Sequence, residues 1–409
     1  MIQFSEEIKH SASIVSDLKQ YLHNKCDCFN AGCVSTSIDT WREITSDREI
    51  LTTARGATIE FDATPHCMSQ PTVSFSLDET DIIDNEVVKL LSKGIIKTTT
   101  HDHDEVLSNI FIRPKKDGSH RLILNLKSLN QYVTYHHFKM DTFYSMLKLV
   151  EKNCYMASLD LKDAYYSVAV QPTHRKYLRF MWNNVLYQFT CLPNGLSSCP
   201  RKFTKLLNPP LASLHKKGHV ISSYIDDLFF PAKTYDLCVF NVVDTFALFD
   251  SLGFIIHPDK SVFIPSQRIV LVGFIIDSVA MSIALTEKAQ GVREACSSLM
   301  EGSAKTIREV ARVIGKIISS FPGVMYGPLH YRSLEHDKTR ALKLCKGNFD
   351  SRMSLSDDSR QELDWWITNI DRSFNVISHG QPSSTLTTDA SRTGWGAVYG
   401  KTSTRGFLV

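Results

Sequence analysis

Two stretches of this chain carry acids where acids are costly. Ser223 to Phe230 reads SYIDDLFF, with Asp226 and Asp227 side by side among aliphatic and aromatic residues. Ser158 to Tyr166 reads SLDLKDAYY, with Asp160 flanked by leucines. Both have strand composition. An unpaired carboxylate buried in such a run is penalised, so it is normally paired, hydrogen-bonded or bound to a metal. Taken alone, Asp226-Asp227 is better explained by a hairpin turn, where Asp is common. The second acid-bearing strand changes the reading. Two such strand ends packed side by side gather two or three carboxylates at one point. That cluster repels itself unless it holds cations, and ligands that are all oxygen suit Mg²⁺. Two such ions about 4 Å apart are the apparatus of in-line phosphoryl transfer.

The neighbouring segments supply elements to position these acids. Glu79 to Gly94 spaces Ile82, Ile83, Val87, Leu90 and Leu91 at helical intervals and ends on a capping glycine. Residues 109–112 and 121–126 read as a strand pair around a Lys-Asp-Gly turn. The Asp160 strand breaks at Lys162-Asp163, and a further hairpin turns at Asn183-Asn184. CLPNGLSS is a turn whose Ser197 or Ser198 caps a helix to about Leu207. SYIDDLFF reads as one strand, followed by a helix over 236–252 that ends at Gly253. Ile269 to Leu285 is apolar but too short for a bilayer and interrupted by Asp277, so it reads as two strands joined near Asp277-Ser278. Residues 286–346 are mostly helical, and LTTDASRTGWGAVYG is a final strand pair. This order is α+β and not an alternating βαβα, and no G-x-G-x-x-G or Walker loop opens a helix.

Composition sets wider bounds. The chain has 409 residues, 43% hydrophobic and 22% charged, which is ordinary for a globular protein of two or three domains. A net charge of +3 permits local basic surfaces without itself indicating nucleic acid. We find no signal peptide pattern and no membrane span. Ten scattered cysteines then fit a reducing, intracellular setting, cytoplasm or nucleus. The C-x-C-x4-C spacing of Cys26, Cys28 and Cys33 is not a standard zinc ligand pattern.

With these segments in view, the chain resembles reverse transcriptases. YIDD resembles their Tyr-x-Asp-Asp motif, and LDLKDAYY their first catalytic motif. LPNGLSSCPRKF resembles the Pro-x-Gly motif that contacts template and incoming nucleotide. RPKKDGSHRLILNLKSLN resembles the fingers hairpin, LGFIIHPDKS the lysine-bearing motif, and LVGFIID, with Gly273, the primer grip. The six stand in the family's order between about residues 108 and 277. WREITSDREILTTARGATIEF, RLILNLKSLN and FPGVMYGPLHYRSLEHDK look like a DIRS-type retrotransposon, with gypsy-type elements as the near alternative. The resemblance implies an RNA-directed DNA polymerase. Its partners would be an RNA template, a DNA primer or RNA–DNA hybrid, and deoxynucleoside triphosphates. Its cofactor would be two Mg²⁺ ions, with Mn²⁺ as a substitute. A decayed or domesticated copy that binds nucleic acid without polymerising is the alternative.

The resemblance also implies roles. Asp160 and Asp226 are metal ligands, with Asp227 as a weaker ligand or support. Tyr165 stacks under the nucleotide sugar and excludes a 2′-hydroxyl, while Tyr166 reads as plain core. Lys116 and Arg121 grip the triphosphate, with Lys115 competing for Lys116's part. Gly195 lets the backbone approach the nucleotide. Asn194 departs from the Phe or Gln usual at its position. Lys260 approaches the triphosphate and can act as general acid. On KTIREVARVIGKIISSF, Arg308, Arg312 and Lys316 share one face, and Gly315 belongs to a small-residue stripe that would approach a primer–template duplex. The implied plan is a right hand: leader 1–80, fingers and palm 81–280, thumb 281–345, connection 346–380, and an incomplete RNase H-like start 381–409. In that start Asp389 is the first carboxylate and Gly394 to Gly396 the turn. Residues 390–409 contain no Asp or Glu, so RNase H activity is not expected, the last ~25 residues are expected to be poorly ordered or packed on the connection, and the chain reads as a truncated copy or a fragment.

Overall fold

A strand that ends in a carboxylate can be apolar along its length only if both faces of its sheet are covered. The computed structural model describes residues 18–65, 73–115, 118–301, 305–378 and 384–407. They divide into two compact units between Ala280 and Met281.

In the first unit, helical residues 18–27 (α1), Ile38–Ile44 (α2) and Arg48–Arg55 (α3) precede α4 (Leu77–Ser92). A Ser76–Glu79 capping box starts α4, and Gly94, at φ 65°, follows its end. Then come β1 (Ile96–Thr98), β2 (Ile110–Pro114), β3 (His120–Leu124), the short α5 (Phe143–Leu147), β4 (Tyr155–Asp160), β5 (Arg179–Trp182) and β6 (Val185–Phe189). They are followed by α6 (Cys199–Lys216), β7 (Ser222–Tyr224), β8 (Asp227–Ala232), α7 (Tyr235–Ser251), β9 (Val262–Ser266), β10 (Arg268–Leu271) and β11 (Phe274–Asp277). The central sheet has the order β7-β8-β4-β9, all antiparallel. The inner four residues of β4 and of β8 are buried, and α7 lies against β4, β8 and β9. One hydrophobic core runs from Leu22 to Phe263 and takes in Trp41, Ala54 and Ile59 of the leader.

In the second unit, β12 (Ser282–Leu285) pairs with a later strand, and α8 (Lys288–Met300), β13 (Lys305–Thr306), α9 (Ile307–Ser320), α10 (Arg332–Leu344), β14 (Arg352–Met353) and α11 (Asp357–Asn369) follow it. The partner of β12 is β15 (Phe374–Val376), and β13 pairs with β14. Strands β16 (Leu386–Ala390), β17 (Gly394–Tyr399) and β18 (Thr402–Phe407) form an antiparallel meander.

Four expectations need correction. SYIDDLFF is two strands, β7 and β8, joined by Ile225-Asp226. Ile225 sits at φ 59°, where a β-branched residue is strongly disfavoured, so nothing in its type announces a turn. The segment 269–285 is three strands, because Val272 and Gly273 take φ 49° and 76° and close a type I′ hairpin between β10 and β11. Helix α6 does not stop near Leu207. It continues through Pro209 and Pro210, since its buried stripe of Leu206, Leu207, Pro210, Leu211 and Leu214 runs on beyond them, and its Ser198 makes no side-chain cap. The final pair is a three-stranded meander whose first turn lies at 391–393, so Gly394 and Gly396 belong to β17 and not to the turn. The hairpin at Asn183-Asn184 is as expected, with φ 45° and 59°.

Candidate active site

The sheet register places the acids. Asp160, the last residue of β4, lies opposite Asp227, the first of β8, and Asp227 lies opposite Tyr224 across the β7–β8 turn. Asp226 is therefore at the hairpin tip. Its carbonyl accepts from Leu161 N at 2.8 Å, which ties the tip to the end of β4. On the other side, Asp160 N donates to Ser261 Oγ at 3.0 Å, and its carbonyl accepts from His257 N at 2.8 Å. The segment carrying Lys260 is thus laced to the same strand end, and Lys260 Nζ stands 3.9 Å from Asp160 Oδ2.

These acids are under electrostatic load. Burial holds the Asp160 carboxyl up at about 6, with Lys260 opposing and Asp226 adding to the rise. Burial, with Asp226 and Asp160 beside it, pushes Asp227 up to about 7. Asp226 is also raised by burial, against its own backbone hydrogen bond, Lys260 and Arg121. The donor set is carboxylate oxygen, held partly desolvated and undercompensated by Lys260 and Arg121, and it fits a hard divalent cation. Among the described residues, no three His, Cys, Asp or Glu side chains close into a ready-made metal cage. The arrangement suits an ion that takes its remaining ligands from water or a phosphate.

Asp160 and Asp226 open onto a cavity of about 390 Å³, together with Tyr165, Arg121, Lys115, Asn194 and Lys260. Asp227, Gly195 and Gly273 are not among its lining residues. Tyr165 packs edge-on against Phe203, centroids 5.5 Å apart. Lys116 lies outside the described residues. Gly195 has a local explanation: at φ 101° it favours glycine, and a Cβ there would come 3.0 Å from the Leu124 carbonyl. Gly273 belongs to the β10–β11 turn. Arg308, Arg312, Gly315 and Lys316 lie on the exposed face of α9 in the second unit. Arg308 makes a bidentate pair with Asp350, at 2.7 and 3.0 Å, and Lys316 donates to Gly291 O at 3.1 Å. A Cβ on Gly315 would meet open space.

Several positioning residues escape the sequence reading. Asn130 clamps the Pro-x-Gly loop, donating to Gly195 O and accepting from Ser197 N, both at 2.9 Å. Lys93 pairs with Asp163 at 2.8 Å, where the chain turns left-handed just before Tyr165. The loop CDCFNAGC is a buttress: Gly32 N donates to Tyr166 O at 2.8 Å, and Lys162 Nζ to Cys26 O at 3.5 Å. Burial pushes the Cys26 and Cys33 thiols up from the ordinary cysteine value. These partners lie 60 or more positions apart, and no local pattern signals them.

Residues 113–276 match the family model described as reverse transcriptase (RNA-dependent DNA polymerase). That segment is thus similar to reverse transcriptases. The chain is 26% identical over 185 residues to the Transposon Tf2-3 and Tf2-4 polyproteins of Schizosaccharomyces pombe (strain 972 / ATCC 24843). The match covers 45% of this chain and 14% of either polyprotein. The fold is also similar to the foamy viral protease-reverse transcriptase solved with an RNA/DNA hybrid, at TM-score 0.62 and 17% identity, covering 87% of this chain and 46% of that one. A foamy viral structure with dsDNA gives TM-score 0.58 at 17% identity, covering 91% and 80%. No helix among the described residues is long and apolar enough to cross a membrane.

Proposed function

We propose that this chain is the RNA-directed DNA polymerase of a retroelement, adding deoxynucleotides to a primer 3′-hydroxyl. The observation that carries the reading is the register of β4 against β8, with Asp160 opposite Asp227 and Asp226 on the turn beside a cationic cleft. Asp160 and Asp226 are the ligands for two Mg²⁺ ions, with Mn²⁺ as substitute. Asp227 supports them electrostatically from outside the cleft. Bound there, the ions supply activation of the attacking hydroxyl and charge stabilisation at the leaving oxygen. Lys260, Arg121 and the Lys115–Lys116 pair neutralise the triphosphate, and Tyr165 screens the sugar. The first unit acts as fingers and palm, and α9 of the second as the thumb helix. Trp41 to Phe61 and Phe321 to Lys338 support a DIRS-like element acting inside the cell.

Primer extension on an RNA template tests the reading. Mg²⁺-dependent incorporation of deoxynucleotides is expected. Absence of extension overturns it, and extension with ribonucleotides alone would make the chain an RNA polymerase. RNase H activity is not proposed: Asp389 is the sole acid on β16–β18 and is exposed. A labelled RNA–DNA hybrid should stay intact with this polypeptide, and cleavage abolished by Asp389→Asn would refute that.

A further inference from the structure

Tyr166 has the signature of core. Only 7% of it is exposed, and the cysteine-rich loop holds its backbone carbonyl through Gly32. Yet its hydroxyl has a specific partner: Asn194 Nδ2 donates to Tyr166 Oη at 3.0 Å. Asn194 is the residue that breaks the usual Phe or Gln pattern of the Pro-x-Gly loop. It is half-buried and lines the cleft with Asp160, Asp226 and Tyr165.

A short amide on a cleft wall swings freely unless one end is anchored. The phenol anchors it: a hydroxyl both donates and accepts, so Tyr166 Oη holds one end of the amide and leaves the other to hydrogen-bond a ligand in the cleft. The anchor is stiff for two reasons. Tyr166 sits in a short turn whose entry, at Asp163, is pinned by Lys93 at 2.8 Å, and Gly32 leaves no slack beneath it, since a Cβ at Gly32 would lie 2.9 Å from Ala169 Cβ.

We propose that Tyr166 is a positioning residue for the nucleotide site, acting through Asn194, whose side-chain amide it holds in place for the incoming nucleotide. The inference rests on the polymerase reading. It gives Tyr166 a part in substrate binding that an ordinary core aromatic does not have.

The test is a double-mutant cycle in the full chain: Tyr166→Phe, Asn194→Ala and both together, read as single-nucleotide kcat and KM on a fixed primer–template. One neutral hydrogen bond corresponds to roughly a fivefold effect. Tyr166→Phe should raise KM for the nucleotide about fivefold with little change in kcat. In the Asn194→Ala background the same substitution should change kcat/KM less than about twofold, because the group it acts through is gone. Primer–template affinity should be equal in all four proteins, which separates positioning from general loosening. Equal factors in both backgrounds, or no effect of Tyr166→Phe, would return Tyr166 to a packing role while leaving the polymerase reading intact. A wild-type chain that extends no primer overturns both.

Discussion

The strain at the hairpin tip sits beside the acids it serves. Asp226 follows Ile225, a β-branched residue at φ 59°, and shares its surroundings with two further carboxylates. Such strain persists only where the surroundings enforce it, and it clusters at functional sites. Asp226→Asn keeps the shape and the Leu161 N hydrogen bond, which uses the backbone, but deletes one repelling charge. We expect primer extension to fall by about a hundredfold or more, with primer–template binding retained and the melting temperature unchanged or higher. Near-normal extension would remove Asp226 from the metal site. Tyr165, on the cleft wall against Phe203, makes a second prediction. Tyr165→Val opens space at the sugar, so the ratio of ribonucleotide to deoxynucleotide kcat/KM should rise about tenfold or more. An unchanged ratio would make Tyr165 a core residue only.

Among the elements, the segment of residues 26–34, from the end of α1 onward, carries the least expected part. It has no regular strand, yet its backbone reaches Lys93, Lys162 and Tyr166, three positions around the cleft. Gly32 is its tightest point, both by φ 76° and by its approach to Ala169. Gly32→Ala adds left-handed strain and overpacking together, and should destabilise the first unit by about 2 kcal/mol or more. Chemical denaturation reads the stability, and nucleotide KM in the surviving folded fraction should rise as well. A variant as stable as wild type with unchanged KM would reduce the loop to a tether.

For the molecule as a whole, the proposed polymerase reading gives the second unit the task of holding a duplex. Helix α9 buries Ile307, Val310, Val313, Ile314 and Ile317 and exposes Arg312, Gly315 and Lys316. Arg308, committed to Asp350, is less available for phosphate than its exposure suggests. Gly315 is not required by the chain's own packing, because a side chain there meets nothing. Gly315→Leu should therefore stabilise the free protein by about 0.8 kcal/mol through helix propensity. It should also shorten the products made per binding event, with single-nucleotide addition retained. A trap-challenged extension assay separates the two effects, and unchanged product length would free Gly315 from duplex contact.

What the chain settles by itself is local or carried by residue type. Apolar runs interrupted by Asp160 and Asp226-Asp227 locate the acids. Asn183-Asn184 announces its own turn, and the periodicity of 79–94 and 305–321 sets two helices, because these signals act within a few residues of one another. The tertiary structure decides what depends on distant partners. The turn at Ile225 exists because β8 must return along β4. Helix α6 crosses two prolines because a buried stripe holds it, and the β10–β11 turn forces Val272 into a backbone region its side chain disfavours. The same holds for Asn130, Gly32 and the Tyr166–Asn194 pair. A hydrogen bond between residues 28 positions apart leaves no periodic trace, and only the pairing of residues 168–170 with 190–192 brings the two together.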